Sequence, residues 1–179
     1  MSTKIGFISP KVYLAAKIIV GVWALGSLAA FVIFWGSAAL GTEQPAVFQV
    51  KYDGLGTLGA NAPVVFVLQA ILQVLLLIAQ WHAWQSLGRL ENPASDYSDL
   101  VRHLARFATA LLLYAIGASI LAIVRASLAA AAEAPGDLTV VFAIDADRMT
   151  LLIVSFVLYC VCNALRLADE AVEETQSFL

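Results

Sequence analysis

Charge is the scarcest ingredient of this chain. Of its 179 residues only 13% are Asp, Glu, Lys or Arg and 61% are apolar, against about 25% and roughly 45–50% in a typical soluble domain. A water-soluble globule of this length has no core large enough to hide so much apolar surface, which rules that class out. Positive charge is scarcer still, because ten Lys and Arg face thirteen Asp and Glu for a net charge of −3. No basic block is left to neutralise a phosphate backbone, so direct nucleic-acid binding is not expected. The two cysteines, Cys160 and Cys162, lie in one apolar run. Their i, i+2 spacing sends them to different faces of a helix, so they do not bridge each other, and the disulfide framework of a small secreted protein is missing.

What the chain does have is four long apolar runs, at about 12–40, 63–84, 104–128 and 149–167. Each is long enough to cross a hydrocarbon layer ~30 Å thick at 1.5 Å per residue. The first follows Lys4 and Lys11, as a signal peptide would, and Ser37-Ala38-Ala39 looks like a cleavage site. Its apolar stretch, however, is well beyond the roughly 7–15 residues of a signal peptide, so it reads as a retained span. The expected fold is an all-α membrane protein with one domain over residues 1–179. It is a four-transmembrane-helix bundle with a cytoplasmic C-terminal helical extension over 168–179, where Ala168, Ala171 and Val172 alternate with Asp169, Glu170, Glu173 and Glu174.

Lys and Arg set the orientation. Lys4, Lys11, Lys17, Arg89, Arg102, Arg106 and Arg166 fall on one side, and Lys51, Arg125 and Arg148 on the other. The positive-inside rule then puts both termini and the middle connection in the cytoplasm of a bacterial cell, with the spans in its inner membrane. Trp81 and Trp84 belong to the inner interface on this reading and Trp35 to the outer one. Arg125, about 31 Å from Leu104 along a helix, reaches the outer headgroups.

Two outer connections show period-two alternation. Phe48, Val50 and Tyr52 alternate with Gln49, Lys51 and Asp53, and Leu138, Val140, Phe142 and Ile144 alternate with Thr139, Val141, Ala143 and Asp145. Two such strands satisfy each other's backbone groups when paired, so a short extracytoplasmic β-ribbon is predicted; irregular loops in the headgroup region are the alternative. On the inner side, Asn92-Pro93 or Ser95 provides a cap for the third helix, with Asp96 and Asp99 in its acidic first turn.

The sharpest polar pattern is Gln69, Gln73 and Gln80. At 100° per residue these positions fall at about 0°, 40° and 20°, one narrow stripe, and amides facing lipid would cost several kcal/mol each. They face protein or water. Either they hold helices together through partners such as Ser27, Tyr114, Ser119, Tyr159 and Asn163, or Gln69, Gln73, Gln80, Tyr114 and Asn163 line a polar cavity for a ligand or lipid headgroup. Ala118, Ala122, Ala126 and Ala130 recur every fourth residue, a small-residue surface for close backbone approach within the bundle or between subunits, with Gly26 and Ala30 as a candidate facing surface. His82 lies at about 220° on the wheel from Gln69, which argues against its facing His103 across the bundle as a haem-ligand pair. No nucleophile motif, zinc-protease helix or phosphate loop occurs, so neither a catalytic site nor a metal or cofactor is expected.

Four spans, the Pro93-Ala94-Ser95 entry to the third, the Leu138 to Ile144 segment before the fourth and the Arg166-Leu167-Ala168-Asp169-Glu170 ending together resemble the YoaS-like family. That is a family of small bacterial four-span membrane proteins built around a domain of unknown function; its members read Pro-Phe-Ser where this chain has Pro93-Ala94-Ser95. The resemblance implies a membrane partner that senses or sequesters a small helix-turn-helix regulator, and it brings no catalytic residues. The expected function is therefore non-enzymatic protein contact, docking a cytoplasmic partner through Asp169, Glu170, Glu173 and Glu174 together with Arg89 and Arg102 in the connection 85–103. The alternative is a structural or accessory subunit of a larger membrane complex or of a homo-oligomeric channel.

Overall fold

A computed structural model describes residues 10–40, 62–91, 97–133 and 146–177, and all of them are helical. The helices are α1 (Pro10–Leu40), α2 (Ala62–Glu91), α3 (Tyr97–Glu133) and α4 (Ala146–Ser177). Each contains a stretch long and apolar enough to cross a membrane, namely Lys11–Ser37, Ala62–Leu90, Ser98–Leu128 and Ala146–Ala168. The chain thus fits a multi-pass membrane protein. Helix is the only open-chain solution there, because hydrocarbon offers no partner to a backbone N–H or C=O and each must be satisfied within its own segment.

The mixed architecture expected from alternation is corrected to an all-helical one. No strand occurs among the described residues, and the proposed ribbon segments, 48–53 and 138–145, lie outside them. The alternation itself was weak on physical grounds: Val141 and Ala143, assigned to the polar face of the second segment, are apolar. The proposed caps Asn92-Pro93 and Ser95 also fall outside the described residues, while Asp99 does stand in the first turn of α3 and Asp147 in that of α4, where negative charge complements the helix dipole.

The helices overrun their apolar spans at one end. At 1.5 Å per residue α3, with 37 residues, is about 55 Å long, more than the ~40–45 Å of a bilayer including headgroups. Helix α4 continues through Ser177, well past Ala168, where its membrane-crossing stretch stops.

Every substantial interhelical contact joins helices adjacent in the chain: α1 with α2, α2 with α3, and α3 with α4. This leaves α2 and α3 in the middle. One core layer centres on Val65, Leu72 and Leu121, with Trp35, Tyr114, Ala118 and Leu128 packed around it. A second centres on Ala79, Ala110 and Leu111, flanked by Phe107 and Leu158. Close approach of α2 and α3 depends on Gly117, where a Cβ would lie 2.5 Å from Cδ2 of the buried Leu72.

The alanine row turns part of its surface inward. Ala118 packs on the first core layer and Ala122 is buried. Gly26 does not face it, since a Cβ there would have nothing within 4 Å. The buried serines add little cross-linking. Ser119 donates to the Ala115 carbonyl at 2.9 Å, Ser86 to His82 at 2.8 Å and Ser155 to Leu151 at 2.6 Å, each within its own helix. Such a bond spends the hydroxyl's one donor hydrogen within its own helix.

Candidate functional site

The glutamine stripe lies toward α1. Gln73 is buried and donates through Nε2 to Ser27 Oγ at 3.2 Å. Ser27 in turn donates to the Ala24 carbonyl at 3.0 Å, so amide, hydroxyl and carbonyl form a short relay in which each donor has an acceptor. Gln69, Gln73 and Tyr114 line one cavity with Ser27, Trp23 and Trp35, about 370 Å³ in volume. Phe31, Phe34 and Trp35 of the same lining join Phe66 in an aromatic cluster: the Trp35 ring packs edge-on against Phe66 at 5.0 Å and against Phe34 at 5.3 Å, and Phe31 stacks on Phe66 at 6.0 Å.

The other two members of the expected cavity lie elsewhere. Gln80, two turns further along α2, borders a separate, mostly apolar cavity of about 400 Å³ against Val20, Gly21, Ala24 and Trp84. It is almost wholly buried, and neither amide atom has a hydrogen-bond partner. Asn163 lies in a small recess of about 120 Å³ with Tyr159, Thr109 and Arg166, on the α3–α4 side. A helical wheel places residues around one helix but not along its length or across to its neighbours. The three glutamines therefore share a face, but only Gln69 and Gln73 share a cavity.

At the end where α2 stops and α3 starts, three features come together. His82 and His103 face each other with their Nδ1 atoms 3.2 Å apart and ring centroids 5.5 Å apart, one ring donating and the other accepting. This corrects the wheel-based reading that His82 points away from such a partner. Helix α2 has two neighbours, α1 on its glutamine face and α3 on another, so a residue far from the glutamines is still inside the bundle. Two ring nitrogens alone do not complete a metal's ligand set, and the described residues hold no group of three or more His, Cys, Asp or Glu side chains that could hold a metal ion. Beside them, Arg89 Nη2 meets Asp99 Oδ2 at 3.3 Å. Arg89, expected to meet a cytoplasmic partner, thus ties α2 to the first turn of α3.

The third feature was not singled out from sequence as a site. A groove of about 730 Å³ is lined by His82, Ile78 and Leu75 of α2, by Ser98, Arg102, Arg106, Thr109 and Leu113 among others of α3, and by Arg166 of α4. Neither Arg106 nor Arg166 was expected from the sequence to belong to a binding site. The readable signal is the run 98, 102, 106, 109, 113, which recurs at three- and four-residue spacing and so occupies one helix face. Of the residues expected to dock a partner, Arg102 lies in this groove. Positions 169, 170, 173 and 174 lie on the continuous C-terminal part of α4.

Cys162 is buried and Cys160 exposed, and both are free thiols, as opposite helix faces require. Compared with known proteins, the chain matches no family model, no curated protein and no solved structure.

Proposed function

We propose that this chain is a non-enzymatic protein of the bacterial inner membrane, both termini cytoplasmic, that works by contact with another protein. The observation that carries the reading is the unbroken run of α4 through Ser177, beyond the apolar stretch that ends at Ala168. A helix that leaves the membrane without a break holds its projecting turns at a fixed height and angle, which is what a docking element needs. Those turns carry Asp169, Glu170, Glu173 and Glu174, suited to a basic partner, and the YoaS-like resemblance makes that partner a small cytoplasmic regulator.

Two measurements test it. Changing the four acids together to Asn and Gln should abolish recovery of cytoplasmic proteins with the purified chain; unchanged recovery removes this surface from consideration. Tags fused at Met1 and at Leu179 should be reachable from the same compartment, and labelling from opposite sides overturns the orientation.

A second reading, a subunit of a larger complex or of a homo-oligomeric channel, draws on the edge position of α1. That helix meets α2 alone among its substantial contacts and leaves Leu25 71%, Ile19 68% and Val22 65% exposed. Lipid covers such a face as well as a partner does. Native mass spectrometry separates the two: a stable multi-subunit species favours the complex, and a monomer favours the docking protein.

A further inference from the structure

The groove at the α2–α3 turn end changes character along its length. On α3 it runs from Ser98 through Arg102 and Arg106 to Thr109 and Leu113, about 22 Å at helical rise. On the antiparallel α2 it runs from His82 to Ile78 and Leu75. The polar ends of both stripes coincide, as do the apolar ends. Arg166 of α4 lines the groove from the third side. Asp99, in the first turn of α3, is engaged by Arg89.

Depth fits the same pattern. Arg102 and Arg106 lie five and nine residues inside the start of α3, about 8 and 14 Å along the helix. Trp81 and Trp84 of α2, 61% and 40% exposed, stand close in sequence to His82, where indole rings mark the headgroup boundary. The apolar walls below remain open, with Ile78 43% and Leu113 51% exposed. Positive charge at headgroup level above an open apolar channel is complementary to an anionic head on a hydrocarbon chain.

We infer that this groove is a binding site for a phosphate-bearing anionic membrane lipid, its phosphate held by Arg102, Arg106 and Arg166 and one acyl chain lying along Leu75, Ile78 and Leu113. Arginine suits the task because its planar fork donates two parallel hydrogen bonds to one phosphate. Ser98 and Thr109 add hydroxyls at either end of the arginine pair. The His82–His103 bond holds the α2 wall in place and so positions the groove without itself needing to touch the head. The site is independent of the docking reading above except that both use Arg102.

The test is lipid retention measured by native mass spectrometry of the whole chain in mild detergent, with dioleoyl-phosphatidylglycerol against dioleoyl-phosphatidylcholine, whose chains are the same. The anionic lipid should be retained preferentially, and raising the salt should weaken it. Changing Arg102→Gln with Arg106→Gln should lower its retention by about twenty-five-fold, from roughly fivefold per cationic side chain at an anionic surface. Arg148→Gln, at the other end of the bundle, should leave it unchanged. Should the double variant fail to fold, the preference and the salt dependence of the unaltered chain still decide the matter. Equal retention of the two lipids, or full retention by the folded double variant, overturns the inference. Competition by inorganic phosphate as effective as that by the lipid also overturns it, because the site would then be one for a free anion. Neutralising the C-terminal acids should leave lipid retention intact, so failure of the docking surface and failure of the lipid site remain distinguishable.

Discussion

Helices α1 and α3 both pack on α2 and are equally apolar over their best membrane-crossing stretches, yet none of that stretch is buried in α1 and a third of it is in α3. The difference lies in the number of neighbours: α3 packs between α2 and α4, and α1 against α2 alone. Along α3, Ala108, Ala110, Ala115, Ser119 and Ala122 are buried, and Gly117 admits Leu72 against the backbone. Along α1 the large residues Ile18, Ile19, Val22, Leu25 and Val32 stay exposed. Hydrocarbon gives no hydrophobic drive for helices to associate, because a lipid tail is as good a neighbour as leucine; close packing by small residues and hydrogen bonds decides instead. Apolarity therefore suits both helices to the membrane, and a second packed neighbour places one of them in the core.

Five substitutions would break or sharpen that contrast. The largest effect is expected for Gly117→Leu, which forces side-chain atoms into the space of Leu72 and should destabilise by ~1–3 kcal/mol or more. Its counterpart on α1, Gly26→Leu, meets open space and should be neutral or stabilising by up to ~1 kcal/mol. Denaturant titration in micelles compares the two, and equal losses would dissolve the distinction between the seams.

Next comes Gln80→Leu. Burying an amide with no partner costs ~1–3 kcal/mol, so its replacement should raise stability in the same titration; a loss would mean that the amide has a partner in the membrane. Gln73→Leu removes one interhelical bond to Ser27 and should cost ~0.6 kcal/mol, loosening α1 alone. Hydrogen exchange confined to α1 would show this, whereas exchange spreading into α3 would join the seams into one unit. The smallest effect is expected at Arg89→Gln. The ion pair with Asp99 is 42% and 37% exposed, so the loss should be ~0–1 kcal/mol and should shrink as salt is raised.

Much of this was legible from residue order. The four spans followed from run length, and the orientation of the glutamines toward protein followed from their period, since an amide in hydrocarbon is penalised wherever the helix stands. The Gln73–Ser27 contact was among the expected pairings. Ser119, another expected partner, bonds instead within its own helix, a competition between local and distant acceptors that spacing does not reveal. Asn163 and Gln80 separated from the cavity of Gln69 and Gln73 because depth and neighbour, unlike angle, are not properties of one helix. The histidine pair was misjudged for the same reason. The ribbon came from reading alternation into a segment where Val141 and Ala143 are themselves apolar.

The sequence by itself determined the solvent of this protein and the number and length of its crossings, because transfer from water to hydrocarbon depends on the composition of each segment and on little else. Only the tertiary structure decided which helix stands beside which. That choice brought His82 to His103, Arg89 to Asp99, and Arg102, Arg106 and Arg166 to one groove. It rests on contacts between residues far apart in the chain, whose energies are small, short-ranged and settled by shape.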